Sequence, residues 1–139
     1  MKTIPTKFGF LLLLGTLTAI VACKKNEPRV YFGNLKSGQQ VESPFKVEMK
    51  SENLVVEHAS KGVNEGHGHF HIIINSPVPP SDSPIPIDPM HIHYGQGETE
   101  TVLNLPPGEY DLLLQFAYGN HLPYDPQITS DVIHVTVTK

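Results

Sequence analysis

Between residues 45 and 50 the chain alternates without a break: Phe45, Val47 and Met49 are apolar, while Lys46, Glu48 and Lys50 are charged. A period of two with a single apolar face predicts a half-buried β-strand, and the segment QQVESPFKVEMKS carries the same phase back to Val41. RVYFGNL, NLVVEHA, HFHIIIN, MHIHYG, ETETVLNL, EYDLLLQFAY and DVIHVTVTK are further short runs rich in β-branched and aromatic residues, bounded by glycine, proline, asparagine and serine. No apolar repeat of helical period and length interrupts them. They predict an all-β domain over residues 29–139, an immunoglobulin-like β-sandwich of about seven to eight strands, with EYDLLLQFAY as a central strand. The alternation lapses over residues 76–89, SPVPPSDSPIPIDP, which hold six of the thirteen prolines. Proline cannot donate to a ladder, so this segment is expected to be a long, stiff connection inside the domain.

The first residues follow a different pattern. Lys2 and Lys7 precede an apolar run from Phe8 to Val21, and Ile20, Val21 and Ala22 stand before Cys23. That layout predicts an export signal over residues 1–22, with a lipobox cut before Cys23 and the thiol acylated. Residues 23–28 then form a lipidated cysteine and short linker, which holds the domain close to a membrane. The expected location is outside the cytoplasm, anchored on the periplasmic or cell-surface side, with the membrane itself as one partner.

Charge and cysteine content limit the chemistry. The ten Lys and Arg include Lys2 and Lys7, so eight remain after the leader against fourteen Asp and Glu. No basic cluster offsets this excess, which argues against a nucleic-acid partner. Cys23 is the only cysteine. With its thiol on lipid, a metal site in the domain has imidazole, carboxylate, carbonyl or thioether to draw on, and no thiolate.

GHGHFHIIIN and MHIHYG supply the imidazoles. Side chains two apart on a strand share a face, so His69 pairs with His71 and His91 with His93, while Phe70, Ile72, Ile92 and Tyr94 turn inward as core. Antiparallel pairing of the two segments, with His71 opposite His91 and His69 opposite His93, would gather four outward imidazoles into one patch. Such a patch suits zinc or copper(II), and equally permits imidazoles that bond one another and water without a metal. His121, in YGNHLPYDPQ, is a candidate fifth ligand. Tyr118, Asn120, Tyr124 and Asp125 are candidate partners around it. His67, between Gly66 and Gly68, is a more mobile and weaker candidate than His121, His58 and His134 are expected at the surface, and Met90 is assigned to packing rather than to a copper(I) thioether.

Several segments together, VYFGNLKSGQQVESPFKV, GHFHIIIN, PIPIDPMHIHYGQGETETVLNLPPGEY and GNHLPYDPQITSDVIHVTV, resemble the DUF4399 family of exported bacterial domains over about residues 30 to 138. The family's first histidine run is matched at His69 and His71 but has Phe70 between them and Asn75 at its end. Its second pair is matched at His91 and His93, and its Asn-His-x-Pro motif at Asn120, His121 and Pro123, with Tyr124 in place of a further histidine. The resemblance implies fold and export and brings no activity with it.

Two functions compete at this level. One is an anchored domain that binds zinc or copper through His69, His71, His91, His93 and His121, serving a metal-handling or envelope protein. The other is a non-catalytic module that docks a protein or glycan on its imidazole face. Enzyme chemistry ranks below both, because no Ser, Cys or Lys nucleophile constellation is visible and Glu98 and Glu100 read as solvated strand-edge charges.

Overall fold

The computed structural model describes residues 26–139; the leader and Cys23 expected from the sequence lie outside the described residues. Ten strands follow in chain order: β1 (Arg29–Phe32), β2 (Gln39–Glu42), β3 (Phe45–Glu52), β4 (Val55–Val56), β5 (His67–Ile74), β6 (His91–Tyr94), β7 (Glu100–Leu103), β8 (Gly108–Ala117), β9 (Pro123–Thr129) and β10 (Ile133–Thr138). They form an all-β sandwich. A three-stranded sheet, β1-β3-β7, faces a seven-stranded sheet in which β2-β10-β8-β5-β4 run side by side, with β6 also on β5 and β9 also on β8. Among the described residues no helix is long and apolar enough to cross a membrane.

The two strands beyond the expected eight have local causes. QQVESPFKVEMKS is one alternating segment in sequence, yet Ser43 and Pro44 divide it into β2, which pairs parallel to β10, and β3, which belongs to the other sheet. Segment β9 was concealed by Pro123 and Pro126. It is tolerated because it lies outside β8 and its register breaks between Phe116 and Ala117, so the prolines need not donate to a continuous ladder.

Alternation sets the core. Phe45, Val47 and Met49 of β3 meet Phe70, Ile72 and Ile74 of β5 and Leu112, Leu114 and Phe116 of β8 in one apolar cluster between the sheets. Phe70 and Phe116 pack edge to face with ring centroids 5.3 Å apart.

Strand β5 is buried on both faces along nearly its whole length, as is the second half of β8 beside it. His69, His71 and Ile73 turn away from the core, but His69 and His71 are fully buried and Ile73 is 1 % exposed. Leu113, Gln115 and Ala117 stand opposite Ile73, His71 and His69 on the neighbouring strand. The proline-rich segment is tied over this outer face: Ile85 is buried and its N–H donates to the His121 carbonyl, while Gln127 Nε2 donates to the Pro79 carbonyl. The expected outward imidazoles are therefore roofed, because the long loop folds back onto the sheet it leaves.

Close approach of β5 to β8 depends on Gly68. A Cβ built there would stand 2.1 Å from the Ala117 carbonyl oxygen, and a backbone oxygen cannot swing aside. Gly68→Ala should lower the unfolding free energy by about 1–3 kcal/mol, read as a reduced denaturant midpoint in equilibrium unfolding.

Candidate metal centre

Four imidazoles converge on the covered face. Ring centroids of His69, His71, His93 and His121 lie between 4.6 and 6.0 Å apart in all six pairings. His71 Nε2 is 3.0 Å from His69 Nε2, and one ligand nitrogen from each of His69, His71 and His93 can be chosen so that all lie within 4.8 Å of one another. A tetrahedral ion with Zn–N bonds of about 2.0–2.1 Å sets its nitrogens roughly 3.3 Å apart. The three histidines can hold a metal ion.

Each element contributes for a local reason. His69 and His71 share a face of β5 because they are two apart. His93 stands directly opposite His71 on β6. The pairing is displaced by two residues from the one that would oppose His71 to His91; a two-residue slip keeps the face and changes the partner. Gly95 then leaves space beyond the end of β6, and the His93 ring occupies it. A Cβ at residue 95 would lie 2.2 Å from His93 Cε1 and 2.4 Å from its Nε2. That space lets His93 approach His69 as well as His71.

His121 arrives from the turn between β8 and β9. Its backbone has φ +66°, a left-handed conformation uncommon outside glycine. Bonds from His121 N–H to the Tyr118 carbonyl, from Tyr118 N–H to the Leu122 carbonyl and from Leu122 N–H to Asn120 Oδ1 hold the turn. Asn120 thus shapes the turn and does not touch the cluster.

Polar satisfaction at the site is incomplete. His69 Nδ1, His71 Nδ1, His93 Nε2, His121 Nε2 and both amide atoms of Gln115 are buried with no hydrogen-bond partner among the described residues. A buried polar atom left unpaired costs about 1–3 kcal/mol, and such atoms are rare in folded proteins. Their concentration around four imidazoles fits a bound cation. Gln115 escaped the sequence reading, although a lone amide inside LLLQFA was the available signal.

Electrostatics favours the neutral, ligating form. Burial, reinforced by repulsion from His93 and His121, lowers the His69 pKa to about 4. Burial and then the charges of His69, His93 and His121 lower His71 to about 2. His93 is lowered too, by burial and then His121, with Glu98 opposing. Metal binding requires imidazole without its second proton.

The remaining candidates are placed elsewhere. His91 lies on the same face but opposite Ile73, where Nδ1 meets Asp88 Oδ1 at 2.9 Å and Nε2 meets Ser76 Oγ at 3.3 Å. It is not brought into the cluster, because the two-residue displacement carries it past His71. Tyr118 and Tyr124 stack at 3.9 Å on the core side, with hydroxyls donating to Glu65 Oε2 and the His67 carbonyl. Neither bonds a cluster imidazole. Asp125 is exposed, as is Met90. His67 Nδ1 meets Glu57 Oε2, His58 accepts from the Ser60 N–H, and the exposed His134 pairs with Asp111.

A family model described as "Domain of unknown function (DUF4399)" matches residues 47–138. No curated protein and no solved structure matches the chain.

Since His69 and His71 fold with lowered pKa values, the unfolded chain binds more protons than the folded one below about pH 6.5. Their contribution is complete above that pH. It should decline as pH falls toward 4, by up to about 1.4 kcal/mol per pH unit for each histidine. Urea midpoints of metal-free protein between pH 8 and pH 5 should show that fall, and His71→Leu should make it shallower.

Proposed function

The chain belongs to the DUF4399 family, and from that premise we propose that it is an exported, lipid-anchored protein that binds one zinc or copper ion through His69, His71, His93 and His121. The observation that carries this reading is the convergence of four imidazoles, two of them fully buried, each with a buried ring nitrogen lacking a protein partner. The bound ion supplies a Lewis acid centre. His69, His71 and His93 would hold the ion and His121 would add a fourth nitrogen; since sites that activate water keep one position open, a set of four would favour holding or passing on a metal over hydrolysis at the ion. The chain's own part is to keep His69, His71 and His93 neutral, fix the spacing of the imidazoles and limit the access of water beneath the proline-rich loop.

Burial also weighs against the competing role as an imidazole-faced docking module. His69 and His71 have no accessible surface, so a protein or glycan resting on the domain would not reach them. Envelope proteins that supply or receive the ion are the partners this reading implies. Anchoring rests on the lipobox-like Ile20–Cys23 and the short linker that follows it.

Elemental analysis tests the assignment. Wild-type protein incubated with zinc or copper and desalted should retain close to one ion per chain, and His71→Ala/His93→Ala should retain almost none. Gly95→Ala removes no imidazole but forces the His93 ring from its place; its affinity should fall by roughly 10- to 100-fold, as when groups that orient a ligand are lost. Equal retention by the double variant would remove the site. Separately, Cys23→Ser should shift the protein from the membrane fraction to the soluble one.

A further inference from the structure

Farther along the same sheet face, three side chains outside the imidazole cluster stand in a row. His91 Nε2 lies 3.3 Å from Ser76 Oγ, and His91 Nδ1 lies 2.9 Å from Asp88 Oδ1. Ser76 and Asp88 are the two ends of the proline-rich loop. Closure of its neck, helped by bonds from Ile74 N–H to the Met90 carbonyl and from His91 N–H to the Asp88 carbonyl, brings a hydroxyl and a carboxylate to opposite edges of one imidazole.

The tautomer follows from the partners. An ionised carboxylate only accepts, so His91 Nδ1 donates to Asp88 and Nε2 is left as an acceptor for the Ser76 hydroxyl proton. Asp88 Oδ1 also accepts from the Met90 N–H at 2.8 Å, which fixes the carboxylate. Nearly all of the His91 ring is covered, its side chain being 10 % exposed, while Ser76 borders open space. That space is a cavity of about 520 Å³ with apolar walls from Ile73, Val78, Leu113 and Val132. Asn75 lines it too; its Oδ1 is engaged by the Asp111 N–H at 2.7 Å, which leaves its Nδ2 as a donor. The Ser76 N–H has no backbone partner among the described residues.

We propose that Ser76, His91 and Asp88 form a hydrolytic site for small apolar carboxylic esters. Ser76 Oγ attacks the ester carbonyl carbon as its proton passes to His91 Nε2, and the carbonyl oxygen gains charge beside the Ser76 N–H and Asn75 Nδ2. The adduct collapses, the bond to the alcohol oxygen breaks, and the leaving alkoxide takes the proton from His91. Water then attacks the acyl-serine, giving a proton to His91 that returns to Ser76 Oγ as the acid departs. Ester and water become acid and alcohol, with no other reactant. Asp88 is a positioning residue that holds the imidazole orientation. The sequence concealed this set because the serine and aspartate sit twelve positions apart in a loop and His91 reads as half of a ligand pair.

A fluorophosphonate probe and p-nitrophenyl butyrate, applied to the full chain in detergent with a metal chelator present, test the site. Adduct mapped by mass spectrometry to Ser76 and a burst of p-nitrophenol are the expected results. Ser76→Ala and His91→Gln should abolish labelling and lower kcat at least 1,000-fold. Asp88→Asn should lower kcat by about 10³–10⁴ with KM within twofold, a split that a merely structural role for the carboxylate would not give. Absence of adduct at Ser76 in protein with an unaltered circular dichroism spectrum overturns the proposal, as does hydrolysis that persists in Ser76→Ala or disappears with the chelator.

Discussion

Burial of β5 on both faces is the constraint on which the rest of the structure depends. One face supplies Phe70, Ile72 and Ile74 to the core between the sheets. The other carries two imidazoles that would ordinarily face water, and covering them removes water as a hydrogen-bond partner. The cover is made by the chain that leaves this strand, returning over it through Ile85 and Pro79. A strand with an apolar inner face and a polar outer face thus carries His69 and His71 away from water on its outer side.

Geometry within the cluster follows from small steric facts. His71 and His93 oppose each other across one ladder rung, and the missing side chain at Gly95 gives the His93 ring the room it needs. A left-handed residue in the β8–β9 turn brings in His121. Burial then keeps His69 and His71 uncharged, since it opposes protonation before any neighbour does. Packing and ligand chemistry act in the same direction here: the environment that destabilises imidazolium leaves free the lone pairs that a cation requires.

The proline-rich loop joins the two functional readings. Its middle roofs the imidazoles and its two ends, Ser76 and Asp88, meet across His91. Stiff prolines reduce the conformational freedom lost when a long loop is ordered, so few bonds suffice to hold it. The histidine pair read from MHIHYG is consequently divided: His93 joins the cluster and His91 fastens the loop.

The all-β sandwich, the inward set of Phe45, Val47, Met49, Phe70 and Ile72 and the pairing of the two His-x-His segments were all legible in the chain. Strand alternation is a local property, written at a spacing of two. The same spacing established that His69 and His71 share a face. It could not say whether that face meets water, because cover comes from a loop that begins after the strand. Nor could it choose between His91 and His93 as the partner of His71, since a displacement by two residues leaves every side chain on its expected face. Proline hid β9, and Gln115 gained meaning only when β8 set it beside His71. By itself, then, the sequence determined which residues point to the same side. Register, covering and the meeting of Ser76 with Asp88 were decided by tertiary structure, because each depends on contacts between segments whose separation along the chain carries no periodic signal.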